Sequence, residues 1–233
     1  MLTNAPYTYL IATYYEISLL TVAAFANIEV FAIALPTYLL RSRSVAHTSA
    51  PLRNRFLLNS VQVQFSNSLL AMGVYIVVLW AGLKTNILIS FLNVNFQLPT
   101  LVAAYQETPV SILGKVFTAG VAAKEFLLNP SIAAQPPSGL ATPVEQFDPS
   151  IATLDETIQA NVLPLEKRKR TLVQQTIILN AFLFASTVQR CMALEGTEVA
   201  GAAGYAGVWV LANSIIALWY AWVGDTSSDY EPL

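Results

Sequence analysis

From Tyr7 to Leu40 the chain carries only two charges, Glu16 and Glu29, and meets its first basic residue at Arg41. The apolar core of a bilayer is about 30 Å thick, and about 20 apolar residues of helix cross it. A run this long and this poor in charge has no place in a water-soluble fold. Similar runs recur at 57–83, 171–193 and 201–223. Only 11% of the residues are charged, against about 25% in an ordinary soluble domain. The sequence therefore reads as an all-α, polytopic integral membrane protein with about five transmembrane helices.

Charge placement orients the chain. Arg41, Arg43, Arg53 and Arg55 occupy a loop, 41–56, that holds no acid, and Lys167, Arg168, Lys169 and Arg170 abut the run that starts at 171. Loops rich in Lys and Arg stay on the cytoplasmic side, so these eight residues are the topology anchors. The first span, about 18–40, then runs from outside to inside, and 57–83 returns. The next region offers two candidates. Residues 86–105 are interrupted by Asn93, Asn95, Gln97 and Pro99. Residues 108–128 open with Thr108 as an N-cap and Pro109 at the first helical position, and carry Lys115, Lys124 and Glu125. One of the two spans and the other lies in the interface or re-enters, because two crossings here would put the 167–170 cluster outside. Five crossings, with the N-terminus outside and the C-terminus cytoplasmic, satisfy the charges.

This divides the chain into an N-terminal membrane region, 1–128; a cytoplasmic loop, 129–170, first proline-rich and acidic, then basic, with a short helix at 151–163; a helical hairpin, 171–223; and an acidic cytoplasmic tail, 224–233. The tail ends in Tyr230-Glu231-Pro232-Leu233, the Tyr-x-x-apolar pattern read by trafficking adaptors. The N-terminus lacks the basic stretch of a cleaved signal peptide, so its apolar run reads as a retained span.

A net charge of −2, with no basic face beyond the two loops, argues against nucleic acid as a partner. The single cysteine, Cys191, excludes an intramolecular disulfide and a cysteine-based zinc site. The single histidine, His47, has arginines around it and no carboxylate, and no HExxH, phosphate loop, GxGxxG or nucleophile elbow occurs. The expectation is no catalytic residue, no cofactor and no metal.

The residues that stand out are polar ones inside spans. Glu29 falls near mid-membrane when counted back from Arg41. A carboxylate there is expensive and faces protein or water. It serves either as a proton or cation site or as a structural group bonded to the amides of the second span. Gln64 and Asn67, with Asn93 and Asn95, form a patch too polar for lipid; it either lines a wet cavity or glues helices together. Arg190 pairs with Glu195 or Glu198, or reaches for headgroups. Ala200 with Gly204 and Ala203 with Gly207 make two small-xxx-small pairs, which pack against the fourth span or dock a partner subunit. Trp80, Trp209, Trp219 and Trp222 fall near span ends as an aromatic belt.

These features point to a non-catalytic subunit or accessory factor of a larger multi-protein membrane complex of the translocation, insertion or biogenesis type. Its partners would be membrane lipids and other membrane subunits, in the endoplasmic reticulum or another endomembrane. The alternatives are a small transporter or channel that uses Glu29, and a membrane-embedded lipid enzyme.

Overall fold

The structure, a computed structural model, describes residues 2–15, 17–41, 56–134 and 167–223. All regular elements among them are helical, and the chain is an all-α membrane protein. A single 3-10 turn, Leu2–Asn4, leads into α1 (Ala5–Tyr14). There follow α2 (Leu19–Leu40), α3 (Phe56–Asn59), α4 (Val61–Lys84), α5 (Ile87–Asn95), α6 (Val102–Gln106), α7 (Pro109–Ala133), α8 (Lys167–Cys191) and α9 (Val199–Val223). Four stretches are long and apolar enough to cross a membrane: Leu20–Leu40, Val61–Lys84, Arg168–Cys191 and Val199–Val223.

Local chemistry sets the boundaries. Ser18, Ser60 and Thr108 each turn a side-chain oxygen onto a free N–H of the first helical turn, at 3.2, 3.5 and 3.2 Å. The long apolar run before Arg41 is broken at Tyr15, so α1 and α2 are separate helices. Residues 86–105 are not one helix. The nine residues of α5 reach only about 13 Å, the backbone turns extended at Phe96, and Pro99 disfavours helix in the residue before it. By contrast α7 runs unbroken for 25 residues, about 37 Å.

The helices pack as a bundle in which α4 lies along α7, α8 and α9 form a hairpin, and α7 also touches α8. Gly120 is what lets α7 approach α4: a Cβ there would stand 2.3 Å from Met72 Cγ and 3.1 Å from the Met72 backbone nitrogen. The α8–α9 turn holds Gly196 at φ 71°, and a side chain on it would also strike Gln97. The bundle interior is aromatic. Tyr75 tilts onto Trp209 with ring centres 5.5 Å apart, and Tyr9 meets Trp209 edge-on at 5.9 Å.

The short α1 is therefore part of the core. Tyr9, Leu10 and Tyr14 are fully buried, and the Tyr205 hydroxyl donates to the Pro6 carbonyl at 2.7 Å. The α2 helix is the opposite case. Only 6% of its apolar window is covered by the rest of the chain, against 39% for α4. Phe25, Ile28, Phe31, Ile33 and Leu35 all stand exposed along it.

Candidate functional site

Three ion pairs sit among these apolar helices, and they are the only salt bridges whose partners lie among the described residues. The first ties α2 to the bundle. Arg190, in the last turn of α8, donates from Nη2 to Glu29 Oε1 at 2.7 Å. Asn4 Nδ2 donates to the other Glu29 oxygen. The Arg190 guanidinium also lies over the Tyr7 ring, 5.7 Å from its centre, an attraction between cation and ring face. Asn4 and Glu29 each lie ten residues from the facing ends of α1 and α2, Tyr14 and Leu19, so the two helices run antiparallel and are clasped at this point.

The second pair closes over α1. Lys115, six residues into α7, bonds the buried carboxylate of Glu107 just before that helix. The Lys115 ammonium also donates to Thr13 Oγ1 at 2.9 Å and lies 5.5 Å from the centre of the Tyr9 ring. The buried Tyr9 and Tyr14 rings meet edge-on with centres 6.3 Å apart and act through packing. Both of these pairs belong to the end of the bundle that holds the α8–α9 turn.

The third pair lies toward the other end, where α4 begins and α9 finishes. Lys124 is 2% exposed. Its ammonium donates to Glu125 Oε1 at 2.5 Å and to Gln64 Oε1 at 3.0 Å. Gln64 in turn donates to the Leu58 carbonyl, and Asn129 donates to Glu125 Oε2. The same end carries the Tyr220 hydroxyl on the Asn67 carbonyl at 2.7 Å, and Arg168 Nη2 on the Tyr220 carbonyl at 2.7 Å. An unpaired charge at such depth costs several kcal/mol, roughly 3–5 when one partner of a buried pair is removed. Local pairing of every one of these six charges is what makes them tolerable.

The sequence-predicted residues fall as follows. Glu29 pairs with Arg190 and Asn4 rather than with amides of the second span, and Arg190 turns to Glu29 rather than to Glu195 or Glu198. Gln64 and Asn67 join helices, the first through its side chain to α7 and the second through its carbonyl to α9. Asn93 is exposed. Asn95 donates to the Phe91 carbonyl at 2.9 Å and accepts, through its own carbonyl, from Glu198 N–H at 3.4 Å.

The small face of α9 receives α5: a Cβ on Gly201 would meet Asn95 at 2.5 Å, and one on Gly204 would meet Phe91 at 2.4 Å. Gly207 faces open space, Ala200 is exposed and Ala203 half-buried. Among the anchors, Arg41 ends α2 in the open, and Arg168, Lys169 and Arg170 form the start of α8 after Lys167. Arg43, Arg53, Arg55, Glu16, His47, the 151–163 helix and the C-terminal tail lie outside the described residues.

Glu107 is the site residue that the sequence did not single out. Its only signal is its place immediately before the Thr108 cap, eight residues from Lys115. No cluster of three or more histidine, cysteine or carboxylate side chains that could hold a metal occurs among the described residues. No known protein family, no curated protein and no solved structure matches the chain.

Proposed function

We propose that the protein is a non-catalytic subunit of a larger membrane complex. The observation that carries this reading is α2, a 22-residue apolar helix clasped to the bundle at Glu29 and exposed along most of its length. The bundle charges are neutralised in local pairs, which favours a structural part for Glu29 over a site that loads and unloads a cation. The chain crosses the membrane five times in this reading, through α2, α4, α7, α8 and α9. The fifth crossing is α7, with Lys115 and Lys124 turned inward and paired. Arg41 and the 167–170 cluster then share the cytoplasmic side, α1 dips back into the bundle from the outer side beside α2, and an internal membrane such as the endoplasmic reticulum is the proposed compartment.

The test is native mass spectrometry after extraction in a mild detergent, with every co-purifying chain identified. A stoichiometric complex with other membrane proteins is the expected result. A lone monomer or a pure homo-oligomer refutes the reading.

A further inference from the structure

Glu125 breaks the pattern set by the other two pairs. Glu29 and Glu107 are turned into protein, whereas the Glu125 side chain is 45% exposed although its partner Lys124 is 2% exposed. It sits about 12 Å from the C-terminal end of α7, so a spanning α7 carries it to hydrocarbon depth. Intramembrane carboxylates face protein or water and carry a partner. Here each oxygen already takes one donor, from Lys124 and Asn129. A carboxylate offers about four acceptor positions, and the rest of its capacity is turned outward.

That exposed edge lines a groove. Phe117, Thr118, Val121, Ala122, Glu125 and Phe126 line an open, shallow space of about 440 Å³ on the outward face of α7. Phe117 and Phe126 stand up as walls, 49% and 39% exposed, and the smaller Thr118 and Ala122 leave the space between them. One turn earlier Gly114 has nothing within 4 Å of a Cβ position. A close backbone approach is thus open along this face, as helices require in lipid.

We propose that this groove docks one transmembrane helix of another protein, which presents a hydrogen-bond donor, amide or basic, to Glu125. Lys124 already neutralises Glu125, so the spare acceptor positions on its exposed edge, rather than net charge, select the occupant. An acyl chain fills the apolar part but offers the carboxylate no donor. A second copy meeting the groove with the same face sets Glu125 against Glu125. A foreign helix with a donor satisfies both the walls and the carboxylate. The docking site rests on the complex-subunit reading and on the α7 crossing.

The test places a photo-crosslinking benzoylphenylalanine at Thr118 in the full chain in its native membrane, with Phe182, on the exposed face of α8, as the control position. The adduct is mapped by peptide sequencing. The expected result is one discrete adduct at Thr118, absent at Phe182. It maps to a membrane-spanning segment of another protein that carries Lys, Arg, Asn or Gln within one turn.

Glu125→Ala should cut its yield at least about fivefold. Ala122→Trp, which fills the groove and leaves the Lys124–Glu125 pair in place, should do the same if the charge variant fails to fold. Adducts to lipid alone, to a second copy, or in equal yield in Ala122→Trp overturn the docking site. A stoichiometric complex without such an adduct overturns the groove and spares the subunit reading, whereas a lone chain by native mass overturns both.

Discussion

Replacing Gly120 by alanine isolates the contact that sets the distance between α4 and α7. Two effects compete. Alanine is the better helix former by about 1 kcal/mol, which alone would stabilise α7. Against it, the new methyl would stand 2.3 Å from Met72 Cγ, 3.1 Å from the Met72 nitrogen and 3.3 Å from its Cα. The Met72 side chain can swing away, but the two backbone atoms move only if α4 itself shifts. Overpacking of this kind costs about 1–3 kcal/mol, so the steric cost wins by a narrow margin.

Gly73, the next residue along α4, is the internal control, because nothing lies within 4 Å of its Cβ position and Gly73→Ala keeps only the propensity gain. The two variants should therefore differ by about 1–3 kcal/mol, which for a chain of this size is a Tm gap of roughly 5 °C, with Gly120→Ala the lower. Thermal unfolding of purified protein in detergent, followed by intrinsic tryptophan fluorescence, reads this directly. A Gly120→Ala protein as stable as Gly73→Ala refutes the close α4–α7 packing.

Other outcomes follow from the same contacts. Glu29→Arg and Arg190→Glu should each lower stability by about 1–3 kcal/mol, discounted from the buried-pair range because both groups are partly exposed, and the double swap should restore most of the loss in a double-mutant cycle. Lys115→Met strands the Glu107 carboxylate and should cost about 3–5 kcal/mol. The pair Lys115→Met with Glu107→Gln should recover much of it, and additive losses in denaturant unfolding would contradict the pairing. Gly201→Ala drives a methyl onto the Asn95 Cβ and carbonyl and should loosen α5 from α9, seen as faster amide exchange over 87–95. Unchanged protection there would count against that seat.

Much of the architecture was legible because lipid imposes a coarse, additive rule: apolar length. The runs 18–40, 57–83, 171–193 and 201–223 fell on the four helices that are long and apolar enough to cross a membrane, and the Thr108-Pro109 signal marked the start of α7. Packing partners were not legible. Arg190 reaches Glu29 across 161 residues of chain, and nothing local distinguishes that partner from Glu195 or Glu198. The Gly201–Gly207 face announced a close approach without saying to what, and α5 filled it because the break before Pro99 leaves α5 short enough to fold back beside α9. The role of α1 was hidden because Tyr7–Tyr15 reads as one more piece of an apolar run. Its insertion into the core depends on Tyr205, Trp209 and Lys115, which come from elements far along the chain.

The most direct test of the whole arrangement is the sidedness of α7. With Cys191 replaced by alanine, single cysteines at Gln106 and at Ala134 bracket the helix. Each can be challenged with a membrane-impermeant thiol reagent in sealed, oriented vesicles. A charged helix that crosses the bilayer with Lys115 and Lys124 paired inside predicts labelling of the two positions from opposite faces. Labelling of both from the same face would contradict the crossing, and with it the five-span bundle and the groove on its outward side.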